Sequence, residues 1–306
     1  METFLKDQLG YTFVKRSGRG GGGCISQGEL YHTDQGKIYV KENHRPGALT
    51  MFQGEFASLV KIQETETVKV PRPVKVLERE PGAVLVMEYL ELGSCSSQAE
   101  LGRQLAALHL HNNNNNNTLQ TVTSFGFDLP TCCGFLPQKN GWTDSWVKFY
   151  SEKVHSKNII LNRGFVIYIQ LEEQIDLQND TELHTLWPSL RAGMSSFFTN
   201  IEVSPSLLHG DLWSGNTGQV GNTPVVFDPA SFYGHHEYDL AIGKMFGGFG
   251  GEFQQAYHTL IPKQEGFETR SELYQLFHYL NHWNHFGEAY RAKSLSLMKS
   301  LNKKIK

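Results

Sequence analysis

Three polar side chains stand at offsets that would let them perform one reaction together: Asp211, Asn216 five residues on, and Asp228 twelve beyond that. They lie in Leu207-Leu208-His209-Gly210-Asp211-Leu212-Trp213-Ser214-Gly215-Asn216 and in Val225-Val226-Phe227-Asp228-Pro229-Ala230. A carboxylate to receive a hydroxyl proton, with an amide and a second carboxylate to hold Mg²⁺, is what phosphoryl transfer from ATP requires. Each segment enters through a short apolar run, so the polar tips are expected at strand ends or tight turns. Asp and Asn beside Gly are also ordinary turn residues, so the rest of the chain has to decide between the two readings.

The spacing His-x-Asp-x-x-x-x-Asn with a later Asp matches the catalytic loop of protein-kinase-like enzymes. In that motif the histidine, here His209, braces the loop by hydrogen bonding. Phosphoryl transfer also needs groups on the non-transferred phosphates. Lys41 ends the apolar strand Lys37-Ile38-Tyr39-Val40-Lys41. It reads either as an edge lysine or as the lysine that holds the α- and β-phosphates, oriented by a helix glutamate. Glu55, within the helical pattern Phe52 to Val60, is available for that pairing or is a solvated helix residue. Ser17 to Ser26 is glycine-rich and stands between strands. Its residues Gly22, Gly23, Cys24, Ile25 and Ser26 would bring backbone N–H groups close to a triphosphate, or would serve as a flexible linker. No Lys-Ser/Thr follows and no helix opens there, which excludes the P-loop and the dinucleotide turn. The apolar strand Ala83 to Leu90 ends in Met87-Glu88-Tyr89-Leu90, the expected hinge whose backbone pairs with adenine.

These residues need a scaffold, and 306 residues at 39% hydrophobic content suffice for a core in one large domain or two lobes. A net charge of −3 provides no basic field for nucleic acid or an anionic membrane. No apolar run is long enough to span a bilayer, and the amino terminus lacks the order of a secretory signal. The four cysteines, Cys24, Cys95, Cys132 and Cys133, show neither zinc spacing nor a disulfide framework. Reduced thiols in the cytosol are the expectation.

The periodicity predicts a short helix over Met1 to Leu9, strands over 30–33, 37–41, 68–77 and 83–90, and a helix over Ser97 to His111. Asn112 to Asn117 is a low-complexity polar tract expected to be a mobile loop. Phe125 to Trp142 reads as a loop, and helical pattern then runs to about Ile201 with one ambiguous apolar run, Phe165 to Leu171. Further helices are expected at 238–246, 253–260, 272–286 and 295–301. The fold class is therefore α+β: a β-rich N-lobe (residues 1–91) and an α-helical catalytic and substrate C-lobe (92–306), with ATP in the cleft.

Several phrases together resemble the fructosamine-3-kinase / ketosamine-3-kinase family. They are Gly22-Gly23-Cys24-Ile25-Ser26, Thr131-Cys132-Cys133-Gly134-Phe135, Leu208 to Asn216, Phe227 to His235, and Tyr279 to Gly287. Aminoglycoside and choline kinases are similar around His-Gly-Asp but lack Trp-Ser-Gly-Asn followed by Asp-Pro-Ala-Ser-Phe-Tyr-Gly. The resemblance implies a protein-kinase-like fold and ATP-dependent phosphorylation of the third-carbon hydroxyl of a ketosamine. Spontaneous loss of the phosphate then frees the amine, so the implied role is deglycation, a protein repair. Fructosamine, ribulosamine and psicosamine adducts, on protein lysines or as free ketosamines, are the implied substrates. Asp211 is then the base, Asn216 and Asp228 the metal ligands, and Lys41 with Glu55 the phosphate clamp. The resemblance also makes Cys24 a candidate redox switch, with a monomer or a redox-sensitive homodimer. Trp213 and Trp283 are candidate flat walls for a sugar or a lysine stem, or core aromatics. Asp239 is expected to brace the catalytic loop, contact substrate, or cap a helix start. Adjacent His235 and His236 are poorly spaced for zinc. The rival readings are a small-molecule kinase of the aminoglycoside/choline type and a catalytically silent nucleotide-binding scaffold.

Overall fold

The computed structural model describes residues 1–19, 26–114, 121–151 and 170–305. After a helix, α1 (Glu2–Leu9), come β1 (Val14–Arg19), β2 (Gln27–Thr33), β3 (Gly36–Asn43), α2 (Ala48–Gln63), β4 (Pro73–Arg79) and β5 (Gly82–Glu88). The strands form one antiparallel sheet in the order β1-β2-β3-β5-β4. Successive side chains of a strand point to opposite faces, and this alternation sorts the lobe into two layers. Ile38, Val40, Val84 and Val86 pack with Leu5 of α1 on the outer face. Ala83, Leu85 and Met87 pack with Phe52 and Leu59 of α2 on the inner one. Burying Leu5, Val84 and Val86 completely stabilises the lobe by roughly 1.5–3 kcal/mol per side chain. Lys41, one residue past Val40, is thereby turned to the inner face.

Helix α2 is fastened at two points. A Cβ on Gly54 would lie 2.3 Å from the Pro130 carbonyl oxygen, so glycine allows the helix to rest directly on the chain beneath it. Ser58 Oγ donates to the Gly54 carbonyl at 2.8 Å and accepts from the Ser231 amide at 3.0 Å.

The remainder is mainly helical: α3 (Gln98–Asn114), a hairpin of β6 (Thr131–Cys133) and β7 (Leu136–Gln138), α4 (Trp146–Ser151), α5 (Gln170–Gln178) and α6 (Thr181–Gly193). Then follow β8 (Ser206–Leu207), β9 (Thr217–Val220), β10 (Thr223–Val226), β11 (Tyr233–Gly234), α7 (Asp239–Met245), α8 (Gly251–Leu260), α9 (Phe267–Phe286) and α10 (Arg291–Lys304). β9 pairs with β10 and β8 with β11, both antiparallel. Within α9, the fully buried Arg270 meets Glu237 through two bonds, Nε to Oε2 at 2.8 Å and Nη2 to Oε1 at 2.7 Å. Its Nη1 donates to the Phe197 and Glu265 carbonyls, so this buried charge pair has its donors satisfied. The fold is protein-kinase-like, an antiparallel sheet lobe on a helical lobe. Among the described residues, no helix is long and apolar enough to cross a membrane.

Four expectations need correction. Ser17 to Arg19, read as part of the glycine-rich stretch between strands, belong to β1, which pairs with β2. Asn112 to Asn114 belong to α3 rather than to a loop. Asn112 is buried, donates from Nδ2 to the Val122 and Pro205 carbonyls at 2.8 and 2.7 Å, and accepts from the Val122 amide. A repeated polar residue gives no sign of this in composition. Within Phe125 to Trp142, expected as a loop, Thr131-Cys132-Cys133 pairs with Leu136-Pro137-Gln138 across Gly134, whose φ is 84°. In the segment 68–77 only the part from Pro73 is strand. Val68 and Val70 are buried without it, and Lys69 bridges to Val225. Gly22, Gly23, Cys24 and Ile25, Asn115 to Asn117, and Phe165 to Ile169 lie outside the described residues.

Candidate active site

Between the sheet and the helical lobe lies a cavity of about 800 Å³. Lys41, Glu55, Met87, Glu88, Tyr89, Leu90, Asp211, Trp213, Asn216, Asp228 and Ser26, all singled out in the sequence, border it. Lys41 Nζ is 2.6 Å from Glu55 Oε1 and 2.5 Å from Asp228 Oδ1. Burial alone would lower the lysine's pKa, but Asp228 and Glu55 together hold its ammonium above the ordinary range. Burial pushes Glu55 up to about 7 against the pull of Lys41, with Asp228 adding to the rise, because one ammonium serves two carboxylates. Lys41 therefore stays cationic.

The loop that carries Asp211 is held by a buried carboxylate. Asp239, fully buried at the start of α7, accepts from the His209 amide at 2.6 Å and the Gly210 amide at 2.8 Å. His109 of α3 approaches the same carboxylate through Nε2 at 3.0 Å, and its Nδ1 lies 2.7 Å from the Tyr257 hydroxyl of α8. Of the three readings of Asp239, bracing is the one its contacts describe; it is not among the residues bordering the cavity. His209 braces the loop as well. Its Nε2 sits 3.0 Å from the Phe227 carbonyl and its Nδ1 accepts from the Asp211 amide. Burial pushes its pKa down, so the ring is neutral. Gly210 has φ 84°, and a Cβ there would lie 2.0 Å from the Ala230 carbonyl oxygen. The Ala230 amide in turn donates to His209 at 2.8 Å, so the two polar segments are stitched side by side.

Asp211 emerges from this brace into the cavity. Asn216 Nδ2 donates to its Oδ2 at 3.1 Å and to its carbonyl at 2.9 Å. Burial pushes the Asp211 carboxyl up to about 7, the Cys133 and Asn216 hydrogen bonds opposing the rise and the charge of Asp228 adding to it. Asp228 itself has φ 59°, a left-handed conformation that is uncommon outside glycine and recurs at functional sites.

The aromatic candidates divide. Trp213 borders the cavity, folds over Gly215 and packs 5.0 Å from Phe246. Trp283 does not border it. It is buried on another side of α9, with Nε1 3.3 Å from Glu288 and the Arg291 guanidinium over its ring. Its neighbours Asn281, His282, His285 and Phe286 face the cavity instead. Positions i, i+1, i+4 and i+5 share one helix face and i+2 does not, a signal that could have been read in the sequence. Tyr39 and Met51 also border the cavity with nothing in their local sequence to mark them, and so does Cys133, which belongs to a phrase that carries the resemblance but to which the resemblance assigns no role. His235, His236 and Glu237 come close enough for a metal, but Glu237 is taken by Arg270, and the two rings are held by Tyr274 and Tyr257.

The fold and this geometry have relatives. The chain is 47% identical to mouse ketosamine-3-kinase over 325 aligned positions, covering 99% of this chain and all of that protein. It is 39% identical to the chloroplastic protein-ribulosamine 3-kinase of Arabidopsis thaliana, covering 94% of this chain and 82% of the relative. Among solved structures, a protein from Haemophilus somnus 129PT assigned as a fructosamine-3-kinase superposes with a TM-score of 0.78 at 25% identity, covering 98% and 96% of the two chains. The family model described as fructosamine kinase matches residues 1–304, and the chain belongs to that family.

Proposed function

We propose that this protein is an ATP-dependent ketosamine 3-kinase. It phosphorylates the third-carbon hydroxyl of ribulosamine, psicosamine or fructosamine adducts, and the unstable product then releases the amine. The observation that carries the reading is the meeting of Lys41, Glu55, Asp211, Asn216 and Asp228 at one cavity, in a chain of the fructosamine kinase family. The strand-rich part through residue 91 forms the nucleotide lobe and residues 92–306 the catalytic and substrate lobe. Adenine lies against Met87 to Leu90. The Tyr89 amide donates to the Lys37 carbonyl, and the Glu88 carboxylate accepts from the Arg72 amide, which ties this segment to β3 and to the residue before β4.

Lys41 neutralises the non-transferred phosphates while Glu55 fixes its direction. Asp211 accepts the proton of the sugar hydroxyl, and its raised pKa brings its basicity toward neutral pH. Alignment and charge neutralisation provide most of the rate. Asn216 and Asp228 offer an amide and a carboxylate at the cavity wall, hard oxygen donors of the type Mg²⁺ takes. Bound there, Mg²⁺ would neutralise charge on the phosphates. The Trp213 face and the exposed aromatic Phe286 line the side open to the substrate. The free thiols of Cys95, Cys132 and Cys133 agree with residence in the cytosol.

The decisive assay follows ATP-dependent phosphate transfer to ribulosyl-, psicosyl- and fructosyl-lysine, with choline and an aminoglycoside alongside. Turnover confined to the ketosamines is expected. Turnover of choline or the aminoglycoside alone would transfer the chain to the small-molecule kinases, and no turnover of any acceptor would leave a silent scaffold.

A further inference from the structure

Asp211 has a second partner that the phosphotransfer motif does not contain. Cys133, at the end of β6, lies with Sγ 3.5 Å from Asp211 Oδ1, on the oxygen opposite the one that Asn216 holds. The thiol is almost wholly buried, and burial together with the charge of Asp211 keeps it protonated. It is therefore a donor to the carboxylate rather than a nucleophile. Behind it, Asn281 of α9 donates from Nδ2 to the Cys133 carbonyl at 3.1 Å and lies 3.4 Å from the sulfur. Hydrogen bonds thus run from α9 through the β6–β7 hairpin to the base.

We infer that Cys133 is a positioning residue for phosphoryl transfer: its thiol, set by Asn281, fixes the plane of the Asp211 carboxylate toward the acceptor hydroxyl. Two donors on two oxygens define that plane, whereas Asn216 alone leaves the carboxylate free to turn about its last bond. The hairpin is rigid enough for the task. Asn140 Nδ2 donates to Thr131 Oγ1 at 2.7 Å beneath it, and α2 rests on Pro130 through Gly54. The same hairpin therefore touches the helix bearing Glu55 and the loop bearing Asp211.

The inference rests on Asp211 acting as the base, and the test separates the two claims. Steady-state kinetics with ATP and ribulosyl-Nα-acetyl-lysine are measured for Cys133→Ala, Cys133→Ser, Asn281→Leu, the Cys133→Ala/Asn281→Leu pair and Asp211→Asn. Misaligning a reacting group can cost up to 10²-fold, so Cys133→Ala should lower kcat about five- to twentyfold with KM for ATP within about twofold. Serine, which keeps a donor at nearly the same volume, should recover most of the rate. Asn281→Leu should lose part of it, and the double variant should be no slower than Cys133→Ala, because both act through one chain of bonds. Full activity of Cys133→Ala, a loss confined to KM for ATP, a serine variant as slow as alanine, or additive losses in the double variant would each overturn the inference. Retention of activity by Asp211→Asn would overturn the function of the base itself. A dead Asp211→Asn beside an unaffected Cys133→Ala removes only Cys133.

Discussion

Lys41 Nζ stands 2.5 Å from Asp228 Oδ1, joining the inner face of the sheet to the segment that follows β10. With Glu55 at 2.6 Å on its other side, the ammonium is shared by a helix of one lobe and a strained residue of the other. One ammonium thus ties the inner face of the sheet and helix α2 to the segment that carries Asp228.

Replacing Lys41 by Met removes the charge and keeps the stem. Glu55 and Asp228 then face each other uncompensated, and breaking such a pair costs about 3–5 kcal/mol when fully buried. Asp228 is about one third exposed in its side chain (34%), so the lower end applies. Phosphate transfer should fall about 10²- to 10³-fold, the usual cost of removing one charge-stabilising donor. Chemical denaturation and kcat/KM for ATP measure the two effects separately.

Asp239 gives the protein an acid-sensitive element. Its folded pKa is lowered: burial would raise it, but His109 and the amides of the catalytic loop outweigh that. A carboxyl with a depressed folded pKa contributes stability that is present above its unfolded value, near 4, and lost as pH falls through the folded one. Asp239→Asn should therefore shift the urea midpoint most at pH 7, and the gap to wild type should narrow toward pH 3. Equal gaps at both pH values would show that ionisation of Asp239 contributes nothing.

Gly210→Ala tests how close the two catalytic segments must lie. The new Cβ meets the Ala230 carbonyl oxygen at 2.0 Å and the φ of 84° disfavours any side chain. Overpacking of this kind costs about 1–3 kcal/mol, and a displaced Asp211 should lower kcat. Thermal melting and turnover should fall together.

Asn216→Ala removes one proposed oxygen ligand and both hydrogen bonds to Asp211 at once. The Mg²⁺ concentration for half-maximal rate should rise about tenfold or more, in line with the 10- to 100-fold typical when groups supporting a metal site are lost. Chelation with EDTA should stop the wild-type enzyme and added Mg²⁺ should restore it. Activity that survives exhaustive chelation would remove the metal from the reaction.

The order of strands then helices and the emergence of Asp211, Asn216 and Asp228 at strand ends or tight turns were legible in the chain. These depend on local spacing and on which residues can be buried, properties carried by neighbouring positions. The choice between bracing and contact for Asp239 and the role of Asn112 were not. Cys133 meets Asp211 across 78 positions and Asn281 across 148. Such partners are selected by how the hairpin, α9 and the catalytic loop pack together, and no window of sequence contains that information. The linear chain thus determined which groups could transfer a phosphate; three-dimensional packing decided which side chains hold them to the task.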